Sequence, residues 1–71
     1  MKRTVVLSSN VASVRYDSTR RILEVEFLNR SVYQYFSLSK SIYRGLMNAS
    51  SHGSYFDTYV KKGGFSYQRI I

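Results

Sequence analysis

The stretch Val32-Tyr33-Gln34-Tyr35-Phe36 decides the fold, because it is the last of three strand-like segments that precede the predicted helices. Upstream of it, residues 11–17 and 22–29 alternate apolar with polar side chains. Alternation with a period of two is typical of strands that bury one face. The order therefore predicts an antiparallel sheet whose strands follow one another along the chain.

The register of the second hairpin determines where the two tyrosines of the central stretch point. Asn29-Arg30 reads as the hairpin tip. A two-residue loop pairs Phe27 with Val32 and places Tyr33 and Tyr35 on the polar face. A three-residue loop with a bulge pairs Phe27 with Tyr33 and places both tyrosines on the buried face. A shift of the pairing register by one residue moves every side chain of the strand to the other face of the sheet. We favour the second register, since the tyrosines would then extend the apolar row of the preceding strand.

Two helices are predicted after the sheet segments. Ser39 is suited to cap a first helix that runs to about Ser51, with Gly53 as its C-cap. Ser54 followed three residues later by Asp57 resembles a capping box and predicts a second helix over residues 54–62. An internal glycine in the first helix indicates that another element crosses there closely.

These segments predict a single α+β domain that spans residues 1–71. A small antiparallel sheet of three strands, or four with the C-terminal segment, packs against two short helices. Residues 1–7 are expected to form a flexible lead. The predicted core comprises Leu23, Val25, Phe27, Ile42, Leu46, Phe56 and Val60.

Composition limits the possible roles of the chain. It has 11 Lys and Arg against four acids, which gives a net charge of +7 on 71 residues. Such a surplus favours polyanionic partners, although it also fits a solubility charge with no partner. No cysteine is present and no apolar run approaches the ~20 residues that span a membrane. We therefore expect a cytoplasmic protein without a membrane role.

Catalysis is weakly supported by the residues. Glu24 and Glu26 share a strand face, where solvated charges or cross-strand partners of Arg15 are the commoner outcome. The single histidine, His52, stands where a helix C-terminus favours it, and alone it cannot hold a metal. The sequence predicts no catalytic residues, no metal, no cofactor and no small-molecule substrate, so the protein is expected not to be an enzyme.

Nucleic-acid binding is the better supported function. Bases of single-stranded RNA stack on aromatic rings while phosphates meet Lys or Arg. For each tyrosine the alternative to base stacking is packing in the core. For the cations the alternative to phosphate binding is that they are spread over the surface and interact only with solvent. The competing function is a protein-interaction adaptor that uses a sheet edge. The candidate nucleic-acid-binding residues are Arg15, Arg30, Tyr33, Tyr35, Lys40, Arg44, Lys61 and Lys62.

The order of these elements resembles the lysyl-tRNA-synthetase C-terminal (KTSC) domain, a small bacterial module with a central Tyr-x-Tyr. The chain departs from the family pattern at Arg30, where a glycine is common, and at Ser39, where a proline is common. The resemblance implies an accessory module that contacts RNA or tRNA, and leaves the oligomeric state open. The matching residues are Ser8-Ser9-Asn10-Val11, Tyr16-Asp17, Leu23-Glu24-Val25-Glu26-Phe27, Tyr33-Gln34-Tyr35, Ala49, Ser51, Gly53, Tyr55-Phe56 and Phe65-Ser66-Tyr67.

Overall fold

A meandering antiparallel sheet forms the frame of the molecule, and two helices cover one of its faces. The computed structural model describes the backbone of residues 4–5 and all atoms of residues 11–71. Within the described residues the sheet has five strands in chain order, each hydrogen-bonded to the next. The predicted α+β class and C-terminal strand are confirmed. The strands are β1 (Thr4–Val5), β2 (Val11–Asp17), β3 (Ile22–Phe27), β4 (Val32–Tyr35) and β5 (Tyr67–Arg69).

The first strand lies within the segment that was expected to be a flexible lead. Thr4 pairs with Val14 and Val5 with Ser13, antiparallel to β2. These two residues are thus paired in the sheet, and the rest of the segment predicted to be a flexible lead lies outside the described residues. This added strand raises the count above the three to four that the sequence indicated.

A bulge at Ala12 changes the faces of β2. Val11 lies opposite Phe27, whereas Ser13 lies opposite Glu26, so Ala12 is the extra residue between them. Simple alternation would put Val11 on the polar face. Because a bulge shifts the alternation by one residue, Val11 instead joins Val14 in the core, with 1% of its surface exposed.

The register between β3 and β4 matches neither of the two pairings considered from the sequence. Val25 lies opposite Tyr33 and Leu23 opposite Tyr35. Phe27 and Ser31 close the hairpin, since the Phe27 N–H donates to the Ser31 carbonyl at 2.9 Å. This register differs by two residues from the favoured one. An even shift keeps the faces, so both tyrosines do lie on the core side.

The loop between β3 and β4 holds a cationic residue in a left-handed conformation. The Arg30 N–H donates to the Phe27 carbonyl at 2.9 Å, and Arg30 has φ +71°. Asn29 Oδ1 accepts from the Ser31 N–H at 3.1 Å and supports the turn. A three-residue loop of this kind ends in a left-handed residue, which is why glycine is the usual choice there.

The helical layer consists of α1 (Lys40–Asn48), α2 (His52–Tyr55) and a π-helical segment, Phe56–Lys61, that continues α2. Ser39 caps α1 as predicted, since its hydroxyl accepts from the Ile42 N–H. In the described part of the chain no helix is long and apolar enough to cross a membrane.

The junction between the helices differs from the prediction. The first helix ends at Asn48, and Ala49 is extended rather than helical. At this end the Leu46 carbonyl accepts from the Ala49 N–H at 3.4 Å. The His52 ring Nδ1 donates to the same carbonyl at 2.8 Å. The histidine therefore satisfies the helix end without a left-handed glycine, and Gly53 is not the C-cap but a residue of α2.

The N-cap of the second helix lies three residues earlier than predicted. Ser51, not Ser54, is the N-cap, because its hydroxyl accepts from the Ser54 N–H at 3.3 Å. Asp57 consequently lies beyond the first turn and cannot complete the expected capping box. It is released to interact with lysines further along the chain.

The core lies between the sheet and the helices. Leu23, Val25, Leu46, Phe56 and Val60 are buried there as predicted. Phe27 and Ile42 are partly buried at its edge. Leu38 is also buried, and its position at the helix entry is fixed by a hydrogen bond from its N–H to the Arg21 carbonyl at 3.0 Å.

Candidate nucleic-acid interface

An open groove lies between the β3–β4 hairpin, strands β4 and β5, and the π-helical segment. Its volume is about 720 Å³. We refer to it as the aromatic groove. It brings together four of the predicted candidates, Tyr33, Tyr35, Lys61 and Lys62. The complete lining is Phe27, Leu28, Asn29, Ser31, Tyr33, Tyr35, Asp57, Lys61, Lys62 and Tyr67.

Four aromatic rings form the floor of the aromatic groove. The ring centroids of Tyr33 and Tyr35 are 6.5 Å apart, and the Tyr35 and Tyr67 centroids are 5.6 Å apart. Phe27 meets Tyr33 edge-on at 5.6 Å. Such pairs stabilise one another beyond their buried area, so the floor is a preformed apolar surface.

The tyrosines of the floor differ in exposure, and this separates core packing from stacking. Tyr35 is 4% exposed and contacts Phe56, so it belongs to the core. Tyr67, which pairs with Tyr35 across the strands, is 63% exposed. Tyr67 is therefore the ring best placed to stack on a ligand, and it was absent from the sequence candidates. No local pattern identifies it, because its role depends on pairing between distant strands.

The π-helical segment and its C-cap residue, Lys62, supply the charged wall of the aromatic groove. Lys62 Nζ lies 3.3 Å from one carboxylate oxygen of Asp57, and Lys61 Nζ lies 4.0 Å from the other. The Lys62 N–H also donates to the Asp57 carbonyl, five residues back. This wider spacing brings both lysines beside Asp57, whereas an α-helix would favour Lys61 alone. The three side chains together carry one net positive charge.

The pKa of Tyr35 is consistent with its position beneath the groove. Burial raises the pKa of the Tyr35 hydroxyl to about 12, and the neighbouring hydroxyls of Tyr33 and Tyr67 add to the effect. The ring therefore remains neutral across the physiological range and contributes apolar surface and a neutral hydroxyl.

Arg15 lies away from the aromatic groove. Its Nε donates to a Glu24 carboxylate oxygen at 2.7 Å, and Gln34 donates to the other oxygen at 3.0 Å. Glu24 alternates with the buried residues of β3 and so faces the opposite side of the sheet. The interpretation of Glu24 as a cross-strand partner of Arg15 is confirmed. Arg15 is thus held in an ion pair on the far face.

The remaining candidate cations are exposed but do not line the aromatic groove. Lys40 and Arg44 lie on the exposed face of α1, as the helical spacing predicted. Arg30 lies in the hairpin loop, next to the lining residues Asn29 and Ser31. A role for these three cations in binding stays a prediction.

The described residues show no grouping suited to metal binding. No set of three or more His, Cys, Asp or Glu side chains converges within the described part of the chain. Glu26 accepts from the Ser13 hydroxyl at 3.0 Å, on the same face as Glu24. His52 acts at the end of α1, which is the capping role that its position favoured.

Comparison with known proteins identifies the family. The family model described as the KTSC domain matches residues 7–65. The chain belongs to the KTSC domain family. A crystal structure of a KTSC domain protein from Yersinia pestis superimposes with a TM-score of 0.90 at 36% identity, covering 99% of this chain and 97% of that one.

Relatives of this KTSC domain occur alone and within larger proteins. An uncharacterised protein of Stutzerimonas stutzeri is 36% identical over 99% of both chains. A lysine–tRNA ligase of Trichormus variabilis is 39% identical over 87% of this chain, but the match covers only 11% of the ligase. A lysine–tRNA ligase of Nostoc punctiforme is 32% identical over the same shares of the two chains. The chain thus corresponds to a small part of these enzymes.

Proposed function

We propose that this KTSC domain is a non-catalytic RNA-binding module that acts through the aromatic groove. The observation that carries the proposal is the juxtaposition of an exposed ring, Tyr67, with Lys61 and Lys62 along one groove. Rings offer stacking surfaces for unpaired bases and lysines attract phosphates. The net charge of +7 adds a long-range attraction for any polyanion.

The relatives favour the same proposal. Three lysine–tRNA ligases carry a region similar to this chain. A module joined to an enzyme that handles tRNA is suited to contact RNA, and we extend that role to this chain with RNA or tRNA as the partner. We place it in the cytoplasm, where such partners occur and where a cysteine-free domain needs no oxidising environment.

Titration of a labelled single-stranded RNA of about nine nucleotides tests the proposal. Binding should weaken steeply between about 50 and about 200 mM salt, since each neutralised phosphate releases counterions. The double variant Lys61→Ala, Lys62→Ala should bind more weakly and show a log–log salt slope shallower by about 0.7 per lost contact. The matched control, Lys40→Ala with Arg44→Ala, removes two charges from α1 and should have a smaller effect.

Stacking is tested separately with Tyr67→Ala. Loss of the exposed ring should weaken binding by about 1–3 kcal/mol while leaving the salt slope unchanged. The ring is mostly in solvent, so the variant should fold. Absence of RNA binding at low salt would contradict the whole proposal.

A protein-interaction adaptor is the second candidate function. Strand β5 lies at the edge of the sheet, and its three residues are exposed. Such an edge can accept a partner strand through backbone hydrogen bonds. A partner bound in this way would associate with little dependence on salt, which distinguishes this function from phosphate binding.

A further inference from the structure

Asp57 is an unexpected residue in a groove that attracts polyanions. It is the one acid among the described residues that line the aromatic groove. A carboxylate there repels phosphates and reduces the local charge from two positive units to one. The side chain is 45% exposed, so it is available to a ligand.

The carboxylate retains capacity for additional hydrogen bonds. An ionised carboxylate has about four acceptor positions on its two oxygens. Lys62 approaches one oxygen at 3.3 Å, and Lys61 is 4.0 Å from the other. These contacts hold the group in place and leave further lone pairs on both oxygens. A held carboxylate with free acceptor positions is suited to receive paired N–H donors.

Among the four RNA bases, guanine presents the pattern that complements a carboxylate. Its ring N1–H and exocyclic N2 amino group are adjacent donors on one edge. Adenine and cytosine each offer an amino group beside an acceptor nitrogen, and uracil offers one N–H between two carbonyls. A planar base stacked on Tyr67 can direct such an edge toward the wall that carries Asp57.

We infer that Asp57 selects the base that enters the aromatic groove, and that the favoured base is an unpaired guanine. This inference rests on the proposed RNA binding and adds a base preference at one position. The lysines contact the flanking phosphates and at the same time orient the carboxylate. The base must be unpaired, because its Watson–Crick edge is the edge that Asp57 reads.

The test compares RNAs that differ by one amino group. A uridine-rich strand of about nine nucleotides carries either guanosine or inosine at its centre, and inosine lacks only the N2 amino group. With the unaltered protein the guanosine strand should bind about five-fold more tightly, the range expected for one hydrogen bond. In Asp57→Asn this preference should fall to about one-fold, because the amide places a donor against the donors of guanine.

Asp17→Asn is the matched control. Asp17 is the last residue of β2, lies beside Arg20 and does not line the aromatic groove. Both substitutions raise the net charge by one unit. Asp17→Asn should strengthen binding of both strands slightly and keep the preference, whereas Asp57→Asn should remove the preference because the guanosine strand loses its acceptor. Equal affinity of the unaltered protein for the two strands would overturn this inference while leaving the proposed RNA binding intact. A preference that survives in Asp57→Asn would also overturn it. No binding of either strand at low salt would overturn the proposed function as well.

Discussion

At the scale of single residues, Arg30 occupies a position that normally favours glycine. Its φ of +71° lies in the left-handed region, which costs a residue with a side chain roughly 1–2 kcal/mol. Arg30→Gly should therefore raise the free energy of unfolding by about 1 kcal/mol, after part of the gain is offset by the freer unfolded chain. Thermal unfolding should shift upward by about 4 °C or more in a domain of this size.

Arg20→Gly provides the comparison for Arg30. Arg20 also lies in a hairpin turn, but it does not have a positive φ. Arg20→Gly should destabilise the protein, because glycine increases the freedom of the unfolded chain and there is no backbone strain at this position for it to relieve. Equal destabilisation of the two variants would show that the loop conformation of Arg30 carries no cost.

The ionisation of Tyr35 should make the fold sensitive to alkali. Burial raises its pKa to about 12, above the ordinary value of about 10 in the unfolded chain. The neutral form is the one that the fold favours, so this contribution to stability is complete below about pH 10 and is lost as the pH rises through 12. Between pH 9 and pH 11.5, the free energy of unfolding measured in urea should fall less for Tyr35→Phe than for the parent. Tyr59→Phe, in an exposed residue of the π-helical segment, should follow the parent.

At the scale of elements, the crossing of α1 and α2 depends on Gly45. A Cβ at this position would lie 2.6 Å from Cζ of Tyr55, well inside contact distance. The close crossing that an internal glycine predicted is therefore confirmed. Tyr55 cannot move freely, since its ring also packs on Tyr59 at 4.5 Å.

Gly45→Ala should lower the free energy of unfolding by about 1–2 kcal/mol, because the clash exceeds the helix propensity gained. In a Tyr55→Ala background the same substitution should stabilise the protein by up to about 1 kcal/mol, since the obstacle is gone. Denaturant unfolding of the four proteins in this cycle measures the coupling. If the effects of Gly45→Ala and Tyr55→Ala on stability were additive, the close contact between these two residues would be contradicted.

At the scale of the whole molecule, Phe56 joins the helical layer to the sheet. It is fully buried and contacts the rings of Phe27 and Tyr35, both at 5.5 Å. Phe56→Ala should cost about 3–5 kcal/mol, which threatens folding in a domain with a total stability of about 4–10 kcal/mol. Leu28→Ala, at a residue that is 58% exposed, should change stability by less than about 0.5 kcal/mol. Circular dichroism during urea unfolding measures the stability of both variants. A similar loss of stability in the two would show that Phe56 is not a core residue.

The sequence predicted some of the residues of the candidate site, but not how the fold brings them together. Paired lysines and a Tyr-x-Tyr segment are visible in the sequence, and they do line one groove. The contributions of Tyr67 and Asp57 were missed. Tyr67 reaches the groove only because β5 pairs with β4. Asp57 reaches it because the second helix is capped by Ser51 and then widens into a π-helix, a geometry that no simple periodicity predicts.

The sequence by itself determined which residues face inward on β3 and the cap at Ser39. Those features depend on neighbouring residues, through side-chain alternation or a local hydrogen bond. Only the tertiary structure decided the β3–β4 register, the bulge at Ala12 and the end of α1 at Asn48. Alternation specifies a face but leaves registers two residues apart equivalent. The choice between them rests on loop geometry, here the hydrogen bond between Phe27 and Ser31. The end of α1 rests on the contact of the His52 ring with the Leu46 carbonyl.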